Sequence, residues 1–197
     1  MTEIRKLKIG EHTIVGSIIG DSFADDPVNL WIFDNSKGMT GFYTRAAKIL
    51  YLAKGYGHVA NNAGCTLWLP SGVSKHIPEW QSLGIATSMI RHSGFRSILR
   101  ACGIEAGLAD PRPTEPHHYL FAMGTRPSMH GNGIGGKLLA AGLEHADADR
   151  LPAYLESSKE QNVFFYRRFG FEVMEKLVPA PNCPPLWLMW REARRST

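Results

Sequence analysis

The sequence predicts a single α/β domain spanning residues 1–197, and three observations support this prediction. The length of 197 residues suits one large domain. Hydrophobic residues make up 44% of the chain and charged residues 20%, which provides a sizeable core. A strand, a glycine-rich loop, a helix and a second strand follow one another between residues 118 and 156. This order is typical of a βαβ unit, so we expect the two strands to be parallel.

The composition also indicates the cellular compartment of the protein and the kinds of partner that it binds. No apolar run is long enough to span a bilayer, and residues 1–10 lack the apolar stretch of a signal peptide. Cys65, Cys102 and Cys183 are odd in number and far apart, which is not the pattern of a disulfide framework. We therefore expect a cytoplasmic protein that does not bind membranes. The formal charge of +4 favours anionic ligands weakly, and we expect no nucleic-acid partner.

The first 110 residues predict helices around one β-hairpin. Apolar residues recur at helical spacing from Ile14 to Phe23, and Phe42 to Leu52 supplies a second apolar face. Two short strands, HVAN and CTLWLP, are joined by Asn61–Gly64, an Asn-rich turn of the kind that closes hairpins. Residues 81–109 return to helical spacing.

From residue 111 onward, the hydrophobic pattern distinguishes strands from helices more clearly. His118–Thr125 predicts a strand, and an apolar stripe from Ile134 to Leu143 predicts a helix. Pro152 precedes a second predicted strand, with the sequence AYLES. Three further predicted elements follow, a short aromatic helix at 162–169 and strands at 171–177 and 186–190.

The segment His130-Gly131-Asn132-Gly133-Ile134-Gly135-Gly136-Lys137 carries most of the chemical information. Glycines permit positive φ and leave backbone N–H groups bare, and at a helix N-terminus such groups attract a phosphate or pyrophosphate. Two familiar phosphate-binding motifs fit the segment poorly. As a P-loop it has Leu138 where Ser or Thr must bind magnesium. As a Rossmann fingerprint completed by Glu156, it follows its strand too late and leaves too few residues for a doubly wound sheet.

A third interpretation places the loop in a longer pattern. Gly133 and Gly135 open the helix, and Leu155-Glu156-Ser157-Ser158 ends the next strand. A short helix then carries Asn162 and Tyr166, and a Gly170-Phe171 turn leads into another strand. In order, spacing and residue type, this pattern resembles the GNAT superfamily of acetyltransferases.

Within that superfamily, the chain is most similar in pattern to the puromycin N-acetyltransferases. The similar segments are 112–116, 151–158 and 186–189, together with Phe23-Ala24-Asp25 near the start and Trp68 in the hairpin. The likeness is dense from residue 111 to 191 and thin before that, where these enzymes usually select their acceptor. His130 departs from the Gln or Arg of the family pattern, so the resemblance assigns no role to its side chain.

The resemblance implies a mixed, mostly antiparallel sheet of six or seven strands with helices on both faces. It further implies that the protein is an N-acetyltransferase with acetyl-CoA as co-substrate and no metal. We expect a small-molecule amine as the acceptor, with protein Nα or lysine acetylation as the alternative. A non-catalytic regulatory module that binds a nucleotide or CoA is the rival from another class. The acceptor's identity, a role in antibiotic resistance and the choice between monomer and homodimer stay open.

The resemblance also suggests which residues bind the cofactor. The two strands of the βαβ unit are expected to splay apart, so that backbone of the first strand pairs with the pantetheine arm. Gly124 in mid-strand indicates a bulge or a close ligand. Asn162 is expected to cap its helix and to contact the cofactor. The cofactor-binding residues so predicted are Met123, Gly124, Thr125, His130, Gly131, Asn132, Gly133, Ile134, Gly135, Gly136, Lys137 and Asn162. Lys137, Arg167 and Arg168 either contact the 3′-phosphate or are simply exposed.

Two residues are predicted to be catalytic. By resemblance, Tyr166 is the general acid for the thiolate, because a phenol stays protonated at neutral pH. Glu156 ends a strand beside the expected cleft and is the predicted general base, with partial burial expected to raise its pKa. Three alternative bases remain, and the amine could also arrive neutral; the alternatives are Glu115, His117 and His118. Asp25 and Asp26 could attract a cationic amine, but solvation on a helix surface is the favoured interpretation.

Overall fold

Seven strands form one mixed sheet in the computed structural model, which describes residues 3–75, 77 and 79–194. The strands lie in the order β1-β2-β3-β4-β5-β7-β6, and among them β4 and β5 form the parallel pair while the others pair antiparallel. Their bounds are Arg5–Lys6 for β1, Tyr56–Ala60 for β2, Gly64–Leu69 for β3, His118–Thr125 for β4, Ala153–Ser157 for β5, Glu172–Leu177 for β6 and Leu186–Arg191 for β7.

Seven α-helices accompany the sheet within the described ranges. They are α1 His12–Ser22, α2 Pro27–Phe33, α3 Ser36–Ala46, α4 Glu79–Ser93, α5 Phe95–Gly107, α6 Ile134–Asp149 and α7 Glu160–Arg167. A π-helical turn, Ala47–Tyr51, extends α3, and a 3₁₀ turn, Pro127–Met129, precedes α6. None of these helices is both long and apolar enough to cross a membrane.

The predicted fold class is confirmed: the chain is an α/β domain with a seven-stranded mixed sheet. The predicted bounds of β4 and β5 match the structure, as does their parallel pairing. The doubly wound sheet of the Rossmann alternative is ruled out by the antiparallel neighbours on either side of this pair. Two elements, β1 and α2, were not predicted, and α7 begins at Glu160 rather than at Asn162.

The helices divide between the two faces of the sheet because side chains alternate along each strand. On β3, Leu67 and Leu69 join the buried cluster built with α1–α5, whereas Trp68 joins the cluster built with α6 and α7. At Gly142 of α6, a Cβ would lie 2.3 Å from Nε1 of Trp68. The absence of a side chain at Gly142 therefore lets α6 pack directly on the sheet and fixes where its N-terminus begins.

The parallel pair β4–β5 separates at one end. Its pairing covers only His118–Leu120 opposite Ala153–Leu155, although β4 continues to Thr125 and β5 to Ser157. A β-bulge occurs at the same point, since Leu67 and Trp68 of β3 pair with Ala122 and Leu120 and skip the residue between. Because a bulge bends its strand, it directs the end of β4 away from β5. A gap opens in the middle of the sheet.

Candidate active site

A cleft of about 630 Å³ occupies the gap between the diverging ends of β4 and β5. Small-molecule sites typically measure about 300–1,000 Å³, so this cleft has a suitable size. The predicted site residues that line it are Met123, Gly124, Thr125, His130, Gly131, Gly133, Ile134, Gly135, Gly136, Glu156, Asn162 and Tyr166. Two predicted residues do not line it. The Asn132 amide donates to the carbonyls of Met129 and His130 within the loop, and Lys137 is exposed.

The N-terminus of α6 borders the cleft with bare backbone. Gly131 and Gly133 have φ of +79° and +70°, a conformation that favours glycine. Gly133 is the N-cap residue, and no side chain makes a capping hydrogen bond there. The first N–H groups of a helix have no partner within the helix, and the helix dipole is positive at this end. This end of α6 is therefore suited to bind an anion.

Gly135 differs from these two glycines because it lies within the first turn of α6. A Cβ on Gly135 would meet its nearest neighbours, from Phe165 and Thr125, at 3.7 Å, which is ordinary contact. The fold alone therefore does not require glycine at this position. The loop before α6 is held by His130, whose Nε2 donates to the carbonyl of Thr125 over 2.9 Å.

The reason for Gly124 in mid-strand is packing against α1. A Cβ on Gly124 would lie 2.7 Å from Cβ of Ser22 and 3.0 Å from Cδ1 of Ile19. The expected bulge lies further back on β4, whereas the expectation of a close ligand at Gly124, which lines the cleft, stays a prediction. From Met123 to Thr125 the strand pairs with β3 along one edge. Beyond Leu120 its other edge has no partner strand among the described residues and borders the cleft.

Tyr166 lies on α7 with its ring packed edge-on against Phe165 and Phe171. The residue is buried but lines the cleft. Burial raises the pKa of its phenol, and the nearby negative charge of Asp26 raises it further. The hydroxyl therefore stays protonated at neutral pH and can donate a proton.

Asn162, on the same helix, also lines the cleft, but its predicted capping role was wrong. The N-cap of α7 is Lys159, and Asn162 lies in the first turn, where its backbone N–H donates to the carbonyl of Lys159 over 3.1 Å.

Glu156 lies at the inner end of the cleft and accepts three hydrogen bonds. They come from Nε of Arg112 at 2.7 Å, from the hydroxyl of Tyr119 at 2.7 Å and from the hydroxyl of Tyr154 at 3.2 Å. Burial by itself raises the pKa of Glu156, but the charge and hydrogen bond of Arg112, together with the charge of Lys75, lower it below its ordinary value. The expectation of a raised pKa was wrong, and Glu156 is ionised at neutral pH.

The alternative bases do not line the cleft. His118 lies between Tyr56 and Asp149, with each ring nitrogen 2.9 Å from its partner. His117 donates from Nδ1 to the carbonyl of Glu115 over 2.7 Å. The Glu115 side chain is exposed. Among the predicted bases, Glu156 is the one at the cleft.

The expectation that Asp26 is solvated on a helix surface was wrong. Asp26 is only 2% exposed and serves as the N-cap of α2, accepting from the backbone N–H of Asn29 at 2.9 Å and from the Asn29 amide at 2.8 Å. The hydroxyl of Ser158 donates to its other oxygen. Asp25 is exposed, as expected, and pairs with Lys159 at 2.6 Å. An Asp followed by Pro27 at the first helical position is an N-cap signal that could have located α2.

Comparison with known proteins agrees with this geometry. Residues 98–171 match the model of the acetyltransferase (GNAT) family. The matched segment contains β4, α6, β5 and α7, which border the cleft, so the match agrees with the expected resemblance to the GNAT superfamily.

Solved structures extend the likeness from this segment to almost the whole chain. A histone acetyltransferase HPA2 and related acetyltransferase from Corynebacterium glutamicum ATCC 13032 is 19% identical, with a TM-score of 0.73 and coverage of 98% of this chain and 97% of that one. Arylalkylamine N-acetyltransferase 2 from Aedes aegypti is 16% identical, with a TM-score of 0.61 and coverage of 98% and 100%. The C-terminal condensation domain of Ebony, in complex with beta-alanyl-dopamine, is 12% identical, with a TM-score of 0.67 and coverage of 98% and 100%. At such identities the likeness establishes the fold, which is that of the GNAT acetyltransferases.

Proposed function

We propose that this protein is a GNAT enzyme that transfers the acetyl group of acetyl-CoA to the amino group of a small molecule. The observation that carries the proposal is that three structural features border one cleft. They are the bare N-terminus of α6, the unpaired edge of β4 and the buried phenol of Tyr166. An anion site, a row of backbone donors and acceptors and a proton donor are what a CoA thioester requires.

The residues of the cleft fit the parts of acetyl-CoA. The N–H groups that follow Gly133 would hold the pyrophosphate. The free edge of β4 over Met123–Thr125 would pair with the amides of the pantetheine arm, as a neighbouring strand does. Asn162 adds a side-chain amide on the opposite wall. Arg168 also lines the cleft, with its guanidinium 5.4 Å from the ring of Phe165, and is our candidate for the 3′-phosphate.

The chemistry requires a new C–N bond and the loss of the C–S bond. A protonated amine must shed two protons in total, one before its nitrogen attacks the carbonyl and one as the amide forms. We propose that Glu156 accepts one of these two protons through a water molecule. Because the pKa of Glu156 is lowered, Glu156 then releases this proton to solvent and returns to its ionised form. Tyr166 donates its proton to the sulfur as the thiolate leaves and regains one from the amine nitrogen. The products are the acetamide, free CoA and one proton.

The alternatives predict different behaviour. A regulatory module would bind CoA without turning over acetyl-CoA, and it would have no use for a phenol at position 166. A protein acetyltransferase would acetylate a peptide α-amine or lysine in preference to free amines. The similarity to the puromycin N-acetyltransferases stays a sequence prediction, and it would place aminonucleosides in the acceptor panel.

Thiol release from acetyl-CoA, measured with a panel of amines, tests the proposal. Tyr166→Phe keeps the ring and removes the donor, so we expect kcat to fall by roughly 10²-fold with CoA affinity unchanged. Tyr56→Phe is the matched control, because its hydroxyl bonds to His118 and Gly142 outside the cleft. Single-turnover kinetics isolate the chemical step. A wild-type chemical rate in Tyr166→Phe would refute the acid role, and CoA binding without any turnover would favour the regulatory module.

A further inference from the structure

A second cavity, of about 500 Å³, lies on the face of the sheet that α1–α5 cover. Residues from α2, α3, α4 and α5 surround it together with β4. Its wall is mainly apolar and rich in aromatic rings, namely those of Phe23, Phe33, Phe42, Tyr43, Tyr119 and Phe121. A cavity with such a wall gains free energy by burying an apolar body of drug-like size.

The cavity and the cleft meet at the gap in the sheet. Four residues line both spaces, namely Phe23, Phe121, Glu156 and Ser158. The Glu156 side chain is directed to the α1–α5 side, where Arg112 holds it, whereas Tyr166 packs with the cluster on the α6–α7 side. A molecule seated in the second cavity can therefore present one end to the cleft through this gap.

Asp26 supplies a negative charge at this junction. Its carboxylate accepts hydrogen bonds from Asn29 and Ser158, which are neutral. The neighbouring lysine, Lys159, pairs with Asp25 instead, and within the described part of the chain no Lys, Arg or His forms an ion pair with Asp26. A buried carboxylate without a cation is costly, and an incoming ammonium would remove that cost.

The charged side chains that line the second cavity, Glu105, Arg112 and Glu156, already satisfy one another. Arg112 bonds to Glu156 at 2.7 Å and to Glu105 at 2.6 Å. Lys75 lies over the Tyr119 ring at 3.6 Å and adds its positive charge to this group. Among the described residues that line the cavity, there is no further carboxylate. A second ammonium on the ligand would therefore be desolvated without a partner.

We infer that the acceptor is a hydrophobic monoamine, whose ammonium binds Asp26 and Ser158 and whose aromatic or branched apolar body fills the second cavity. The acetylation of this amine rests on the proposed function, whereas its binding does not. The arrangement disfavours polyamines and amino sugars, since their additional charges or hydroxyls would enter an apolar space. It also disfavours a peptide lysine, whose thin aliphatic stem would leave the cavity largely empty.

The acceptor's apolar body is tested by comparing 2-phenylethylamine with ethylamine, spermidine and a lysine-containing peptide as acceptors of acetyl from acetyl-CoA. Burying a phenyl ring should raise kcat/KM for 2-phenylethylamine over ethylamine by roughly 10- to 100-fold. Spermidine and the peptide should react no better than ethylamine. The inference is overturned if any of the three matches 2-phenylethylamine.

Ala101→Phe fills the cavity from α5, where Ala101 lines its wall. We expect it to lower kcat/KM for 2-phenylethylamine by at least 10-fold and to leave ethylamine unaffected, a contrast that misfolding would not produce. Ala140→Phe, on the exposed side of α6, is the matched control. An equal loss for both amines would contradict the location of the site.

Asp26→Asn keeps the size and the capping oxygen of the side chain but removes its charge. We expect KM for 2-phenylethylamine at pH 7 to rise by at least 10-fold, with KM for acetyl-CoA unchanged. Asp34→Asn, at the opposite end of the same helix and 63% exposed, is the control. An unchanged KM for the amine would refute the role of Asp26.

Failure of the two proposals can be told apart. If no amine is acetylated, the proposed function fails, and calorimetry with 2-phenylethylamine then decides the inference. Binding to the wild-type protein that Ala101→Phe abolishes would support the amine site independently of turnover. No binding to the wild-type protein would overturn it.

Discussion

Arg112 links the stability of the fold to the ionisation of Glu156. Its Nε lies 2.7 Å from the Glu156 carboxylate, and the two side chains are only 17% and 11% exposed. Arg112→Met keeps the length of the side chain and removes the charge, so it leaves a buried carboxylate with two phenolic donors and Lys75 nearby. Breaking a buried pair from one side typically costs about 3–5 kcal/mol. Because Lys75 remains, we expect the free energy of unfolding at pH 7 to fall by about 3 kcal/mol.

The cost should depend on pH in a direction that the structure determines. In the wild type the pKa of Glu156 is lowered, so its contribution to stability is present above the unfolded pKa of about 4.3 and is lost as the pH falls through the folded pKa. In Arg112→Met burial prevails and raises the pKa, so the variant loses stability as the pH rises from about 4.3 through the folded value. The two proteins should therefore differ most at neutral pH and much less at pH 4.

Urea unfolding at pH 7 and pH 4, followed by tryptophan fluorescence, measures this difference. Adding Glu156→Gln to Arg112→Met should restore much of the lost stability, because it removes the unpaired charge. Glu105→Gln breaks the more exposed contact of Arg112 and should cost less than about 1 kcal/mol. A loss below about 1 kcal/mol in Arg112→Met, or the same loss at both pH values, would refute the reasoning.

Four further predictions concern the cleft. Gly135→Ala should stabilise the fold by about 0.4–1 kcal/mol, because the helix geometry and the space around Gly135 both permit a methyl group, and it should weaken CoA binding. Urea unfolding measures the stability and calorimetry the CoA affinity. An unchanged CoA affinity would contradict a close approach of the phosphates to Gly135. Gly133→Val and Gly72→Val both place a side chain at a positive φ, but only Gly133→Val should lower the affinity for CoA, by roughly 10-fold or more. If the two variants bind CoA equally well, the phosphates bind elsewhere. CoA should raise the melting temperature more than NAD or ATP does, and a larger shift with NAD would argue for a dinucleotide site. Glu156→Gln should depress kcat and abolish an acidic limb of the pH–rate profile that lies below the ordinary carboxyl range, whereas an intact limb would make Glu156 structural.

Local patterns were sufficient to predict β4, α6 and β5, which border the cleft. The bounds of β4 and β5 follow from apolar strands next to proline and glycine, and α6 follows from its apolar stripe. These signals lie within a few residues of the elements that they specify. The two-residue strand β1 carries no comparable pattern, and its pairing with β2 is made by the fold as a whole.

Three of the errors concern residues whose partners are remote in the sequence. Asp26 is buried because Ser158, 132 residues away, approaches it. The pKa of Glu156 is lowered rather than raised because Arg112, 44 residues away, binds it. Gly124 lacks a side chain because α1 passes over β4 at Ser22. Periodicity and spacing describe a residue's own element, and they do not reveal which distant side chain will lie against it.

The gap between β4 and β5 leaves an opening through the middle of the sheet, between its two faces. The thioester would approach this opening from one face and the amine from the other, so neither molecule would obstruct the entry or departure of the other. An acceptor seated in the second cavity would also close the opening from behind, leaving little room for water to attack the acetyl group. The same strand separation that admits both substrates would thereby protect acetyl-CoA from wasteful hydrolysis.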